Sequence, residues 1–211
     1  SLHEASQNGS SLAVYPELCV TGYSCGDLFY QSSLIEEAEK SIERLLLSTQ
    51  DLEIIAVIGA PIPIGNGLYN CALVIHKGHI LGIVPKTYLP NYSEFYEKRW
   101  FTAAHNLQSN QTIYANQKCV ISPHLVFECK QMPYFKLGID ICEDLWATLP
   151  PSLFHSLNGA TIIANLSASN ETIGKSQYRK ELVSQHSAKT MIAYLYTSSS
   201  VTESTTDLVF S

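Results

Sequence analysis

Apolar positions along the chain fall into two rhythms. From Leu34 through Ala38, Ile42, Leu45 and Leu46 they recur at helical spacing, which predicts an amphipathic helix over Ser33–Ser48. Ser33 with Glu36 reads as its capping box, and Glu36 with Lys40 as an i,i+4 pair. Elsewhere the apolar runs are short and strand-like. Leu12–Tyr15 ends at Pro16, which cannot donate to a sheet ladder. Ile54–Ile62 is continuously apolar, as in a strand covered on both faces. Leu68–Ile75 and His79–Val84 flank Lys77-Gly78, a hairpin signal. Cys119–Glu128 reads as a further strand. In Phe135–Ile141 the residues Leu137, Ile139 and Ile141 alternate, so Asp140 points to the opposite face. A short helix over Pro150–Leu157, a strand over Thr161–Leu166, a helix over Ser176–Thr190 capped by Ser176 and a strand over Met191–Thr197 follow. Thr206–Phe210 reads as the start of another strand, and Thr102–Gln117 as a polar loop. Helices and strands alternate loosely around one hairpin, which is an α/β pattern with mixed sheets.

Composition narrows the classes. A chain of 211 residues with 45% hydrophobic and 15% charged residues supports one globular core. No apolar run is long enough to cross a bilayer. A net charge of -6 argues against binding a nucleic-acid backbone. The six cysteines form no CxxC or paired metal-ligand spacing, so no metal site is expected and a reducing, cytoplasmic setting fits. No GxGxxG, GxxxxGK[ST] or G-x-S-x-G word is present, which removes the dinucleotide, P-loop and serine-elbow readings.

Three polar residues remain that share one unusual position. Glu17, Lys86 and Cys142 each close a buried β-run. The carboxyl ends of strands are where α/β folds place reactive groups. An acid, a cation and a sulfur nucleophile together suit amide hydrolysis by way of an acyl-enzyme. A helix opening at or just after Glu143 would aim N–H groups at the sulfur and favour the thiolate. Glu143 and Asp144 oppose that charge unless bonded elsewhere. Glu94 and Glu97 are both candidates to orient Lys86. The aromatic segment Tyr88–Phe101 suits a pocket wall or a subunit contact.

The words YPELCVTGYSCGDLF, PKTYLPNYSEFYEKRWF, GIDICEDLW and NLSASNETIGK resemble the nitrilase superfamily of carbon-nitrogen hydrolases. Within it they are similar to the glutaminase domain of glutamine-dependent NAD synthetases. The likeness covers nearly the whole chain and implies an α-β-β-α sandwich with mixed sheets. By it Glu17 is the general base, Lys86 the oxyanion support and Cys142 the nucleophile of a thioester route. The glutamine contacts fall on Tyr92, Ser169 and Lys175, and Glu143 is a candidate for the substrate amino group. The resemblance implies L-glutamine as substrate, no cofactor for the hydrolytic step, and a synthetase domain of the same full-length chain as partner. ATP and deamido-NAD belong to that domain, whose SGGxDS-type loop does not occur in residues 1–211. It further implies a homo-oligomer. Family members open with an additional strand and helix and close with further strands, so the chain reads as an incomplete domain cut at both ends. The competing readings are a stand-alone amidase or carbamoylase of another branch, and a catalytically silent assembly domain.

Overall fold

A computed structural model describes residues 1–210. In chain order the elements are α1 (Leu2–Gln7), β1 (Leu12–Val14), α2 (Ser32–Ser48), β2 (Ile55–Ile64), β3 (Gly67–His76), β4 (His79–Pro85), β5 (Gln111–Tyr114) and β6 (Gln117–Val120). Then come β7 (Phe127–Cys129), β8 (Met132–Ile141), α3 (Pro151–Leu157), β9 (Ile162–Ser167), α4 (Lys175–Thr190) and β10 (Ala193–Ser198). One four-stranded sheet has the order β1-β2-β3-β4, with β1 parallel to β2 and the rest antiparallel. The other has the order β10-β9-β8-β7, with β8, β9 and β10 parallel and β7 antiparallel.

The two-residue alternation of the strands sorts their side chains into layers. Val57, Ala72, Val74 and Val84 of the first sheet meet Leu137, Ile139, Ile141, Ala164 and Leu166 of the second. The reverse face of the first sheet turns Ala56, Ile58, Leu73 and Ile75 toward Ile42 and Leu46 of α2. Helix α3 covers β8 and α4 covers β10 on the far side. The outcome is the expected α-β-β-α sandwich with mixed sheets.

Local expectations fail where a single residue outweighs the pattern. Helix α2 starts at Ser32 after Gln31, which makes no side-chain cap bond, so the Ser33–Glu36 box is absent. Lys40 pairs with Glu37 at 2.7 Å rather than with Glu36. Within the polar stretch 102–117, β5 turns into β6 through Ala115 and Asn116, both left-handed at φ 48° and 59°. The strand expected over Cys119–Glu128 is divided between β6 and β7, with Pro123 in the gap. Helix α4 begins one residue early behind Gly174, at φ 83°, and the Glu171 carboxylate rather than Ser176 accepts an amide of the first turn. Instead of a strand, the 206–210 stretch makes one bridge, Asn170 to Phe210. The opening SLHEASQ, which has no apolar period, forms α1 with a Ser1–Glu4 capping box.

Candidate active site

The first sheet supplies the acid and the cation. Pro16 ends β1, and the chain folds back at once through Leu18 at φ 50°. The turn lies so close to β2 that a Cβ on Gly59 would stand 2.4 Å from the Leu18 nitrogen and 2.6 Å from the Pro16 oxygen. A glycine is therefore required for Glu17 to enter the interior. Lys86 follows β4 and is held there by its amide, which donates to the Asn70 carbonyl at 2.8 Å. Lys86 Nζ donates to Glu17 Oε1 at 2.6 Å and to Glu97 Oε1 at 2.6 Å, and the Lys86 and Glu17 side chains are fully buried. Asn70 Nδ2 donates to Glu17 Oε1 at 2.7 Å, and the Ala168 amide donates to Glu17 Oε2 at 3.0 Å. The structure thus decides for Glu97 over Glu94 as the second acid at Lys86. Tyr23 fixes Glu97 with a hydroxyl bond of 2.8 Å. Glu94 instead accepts from Asn170 Nδ2.

The second sheet supplies the sulfur. Cys142 leaves β8 at φ 46°, a left-handed conformation that costs a non-glycine residue of order 1–3 kcal/mol. Asp144 fastens this turn. Its Oδ2 accepts from the Ile141 amide at 3.0 Å, and its Oδ1 accepts from the Thr87 and Tyr88 amides at 3.1 and 2.9 Å. One carboxylate thereby ties the cysteine turn to the lysine turn. The sulfur lies within electrostatic reach of Glu17, Lys86 and Glu97, beside the same Ala168 amide that binds Glu17. All three expected residues meet at one place.

Burial controls their protonation. Burial pulls Lys86 down, but Glu17 and Glu97 outweigh it and hold the ammonium well above its ordinary value. Burial and then Glu17 push the Cys142 thiol far up, against the pull of Lys86 and the Ala168 amide. This corrects the expectation of a helix-stabilised thiolate. The segment Cys142–Trp146 is a single 3-10 turn, too short to offset burial. The protonated thiol is therefore the favoured form of Cys142 near neutral pH.

Burial also raises Glu97 to about 7, with Glu17 adding to it and Lys86 opposing it. A carboxyl raised on folding retains its proton in the native state after the unfolded state has lost its own. Its contribution is therefore present below the ordinary carboxylate range and is lost as pH rises toward 7. Glu97→Gln is expected to flatten the fall in thermal stability between pH 5 and 7.5, measured by calorimetry against the parent chain. An unchanged slope would contradict this proton balance.

The mouth of the site is polar and split by charge. Tyr92 donates its hydroxyl to Glu143 Oε1 and Oε2 at 3.1 and 2.9 Å. Lys175 bonds Asn170 Oδ1 and lies 5.5 Å from the centroid of the Trp146 ring. Its charge is felt at both Cys142 and Glu143. Ser169 is buried; its amide donates to Ser198 Oγ at 3.1 Å, and its hydroxyl accepts from Arg179 at 3.3 Å. A cleft of about 650 Å³ lined in part by Tyr88, Tyr92, Glu143 and Leu149 adjoins the mouth, so the aromatic segment serves as a pocket wall. Asn70, Tyr23, Arg179 and the Ala168 amide escaped the sequence reading. Asn70, a polar residue inside the apolar run of β3, was the one legible signal among them. The two buried histidines supply no rival base: His155 bonds the Ile139 carbonyl and is lowered to about 4 by burial, and His186 bonds Ser152.

A buried carboxylate, ammonium and thiol at the strand ends of an α-β-β-α sandwich define a nitrilase-type hydrolase domain. The carbon-nitrogen hydrolase family model matches residues 1–210, and the chain belongs to that family. It is 40% identical over 203 residues to the glutamine-dependent NAD(+) synthetase of Mycobacterium tuberculosis, covering 96% of this chain and 30% of the relative. It is 34% identical to the enzyme of that name from Thermotoga maritima, covering 93% and 31%. Superposition on the crystal structure of a glutamine-dependent NAD(+) synthetase from Cytophaga hutchinsonii gives a TM-score of 0.81 at 30% identity, covering 93% and 31%. An amidase from Nesterenkonia, at 19% identity and a TM-score of 0.74, covers 99% of this chain and 70% of its own, and shares the fold. The chain spans about a third of the length of the synthetases it matches.

Proposed function

We propose that this domain hydrolyses the side-chain amide of L-glutamine to glutamate and ammonia, with Glu17 as base, Lys86 as oxyanion support and Cys142 as nucleophile. The observation that carries the reading is the buried cluster in which Glu17 and Lys86 meet at 2.6 Å beside the Cys142 thiol. Glu17 takes the thiol proton as sulfur attacks the amide carbon, and returns it to the departing nitrogen as ammonia leaves. Splitting the reaction through a thioester replaces one difficult step with two easier ones. Glu17 then deprotonates the water that releases glutamate. Lys86 places a fixed positive charge where the carbonyl oxygen becomes negative.

The opposed charges at the mouth support an amino-acid substrate. Glu143 with Tyr92 suits the ammonium of glutamine, and Lys175 with Ser169 suits its carboxylate. The ammonia is consumed in a synthetase domain that uses ATP and deamido-NAD; hydrolysis itself needs no cofactor. Free cysteines throughout the described residues support a cytoplasmic setting. Exposed Phe154, Leu157 and Tyr178 on α3 and α4 support a homo-oligomer.

Glutamate release from glutamine tests the reading against simple aliphatic amides and N-carbamoyl amino acids. Glutamine is expected to be the preferred substrate by kcat/KM. Glu143→Gln is expected to raise KM for glutamine by roughly 10- to 100-fold, the loss of one charge-assisted contact, and to leave aliphatic amides unaffected. Equal or faster turnover of simple amides would instead favour a stand-alone amidase.

A further inference from the structure

Beneath α3 and α4, on the face of the second sheet turned away from the other sheet, lies a chain of buried hydrogen bonds that the proposed chemistry does not use. Ser167 Oγ donates to Asn165 Oδ1 at 2.6 Å, Asn165 Nδ2 donates to the Tyr194 hydroxyl at 3.0 Å, and that hydroxyl donates to Asp140 Oδ2 at 3.0 Å. Asp140, Asn165 and Ser167 are each at 0% exposure. The residues come from β8, β9 and β10, and Asp140 and Asn165 are register partners. Burial lifts the Asp140 carboxyl to about 6, so near neutral pH it remains largely an anion, helped by Ser152 and Tyr194. An anion accepts only, which forces every bond of the chain to run toward Asp140.

Both ends of this chain abut the site. Asp140 is two residues before Cys142. At the other end the Ser167–Ala168 peptide is gripped by Glu17 on both sides: its carbonyl accepts the Glu17 amide at 3.3 Å, and its N–H donates to Glu17 Oε2 at 3.0 Å. The same N–H faces the Cys142 sulfur. Rotating Ser167 out of place would therefore move the one amide shared by base and nucleophile. We infer that the Asp140–Tyr194–Asn165–Ser167 chain sets the position of the Ala168 amide, which makes Asp140 and Tyr194 positioning residues for Glu17 and Cys142. This rests on reading Cys142 as the nucleophile.

Tyr194→Phe tests it, because the ring that packs edge-on to His186 at 5.6 Å stays while both hydroxyl bonds vanish. A misplacement of about 1 Å at reacting groups costs up to about 100-fold. Tyr194→Phe is expected to lower kcat for glutamine by roughly 10- to 100-fold with KM changed less than about twofold, and to slow alkylation of Cys142 by iodoacetamide to a similar degree. Circular dichroism should match the parent. Asp140→Asn combined with Tyr194→Phe should cost no more than the worse single change, as for members of one chain. Should Tyr194→Phe fail to fold, Ser167→Ala removes the last donor instead, with the same expected losses. Alkylation needs no substrate, so it reads the chain even if the parent does not hydrolyse glutamine. Parent-like kcat and alkylation in a folded variant, or strictly additive losses in the double variant, would overturn the inference.

Discussion

Lys86→Met is expected to lower glutamine turnover by about 100- to 1000-fold, the usual consequence of removing one oxyanion donor. Stability is expected to suffer as well. The ammonium answers two carboxylates at 2.6 Å each, all buried, and taking one partner from such a cluster typically costs about 3–5 kcal/mol. The two losses have separate causes and can be separated. Adding Glu97→Gln to Lys86→Met replaces a buried carboxyl, which without Lys86 must be held protonated, by a neutral amide, so urea denaturation should show part of the stability restored. Turnover should stay low, because no cation has returned to the oxyanion position. Recovery of turnover in the double variant would mean that Lys86 acts only as a structural counter-ion.

The second large effect falls on Glu17→Gln and has an unusual sign. A glutamine there keeps the size of the side chain but cannot take a proton, so kcat is expected to fall by about 100- to 10,000-fold. The Glu17 charge is also one of the causes that push the Cys142 thiol up. Removing it should let the thiolate form at lower pH, visible in its ultraviolet absorbance on titration. A more acidic thiol that turns over more slowly separates a base from a mere counter-charge. A variant whose thiol becomes harder to ionise would show that Glu17 stabilises the thiolate instead, and would place the proton acceptor elsewhere.

The layers of the fold were legible because the strands carry their instructions in alternation. Val57 against Ala56 and Ile58 already says which face meets the other sheet and which meets a helix. The Glu17, Lys86 and Cys142 cluster was legible for a related reason: a charged residue or a sulfur directly after an apolar strand stands out. Distance along the chain hid the rest. Ala168 serves the site through its backbone, which leaves no trace in residue type. Asp144 reads as another acid beside Glu143, yet it binds three amides from two separate turns. Choosing Glu97 over Glu94 required the aromatic segment to fold first, with Tyr23 packed between Phe95 and Phe210. The thiolate expectation fails because the local turn after Ile141 carries no sign of the burial that tertiary packing imposes on the sulfur. The helix caps misplaced by two residues at Ser33 and Ser176 reflect Gln31 and Gly174, whose backbone angles decide the start.

Treatment with a diazoketone analogue of glutamine, followed by peptide mass mapping, tests most directly whether Glu17, Lys86 and Cys142 form one working unit. A single adduct on Cys142 is predicted, prevented by excess glutamine and suppressed in Glu17→Gln, whose thiol ionises more readily but which has no carboxyl to protonate the diazo carbon, with the exposed Cys19 left unmodified. An unlabelled Cys142 beside a labelled Cys19, or a Cys142 that reacts equally well without Glu17, would contradict it.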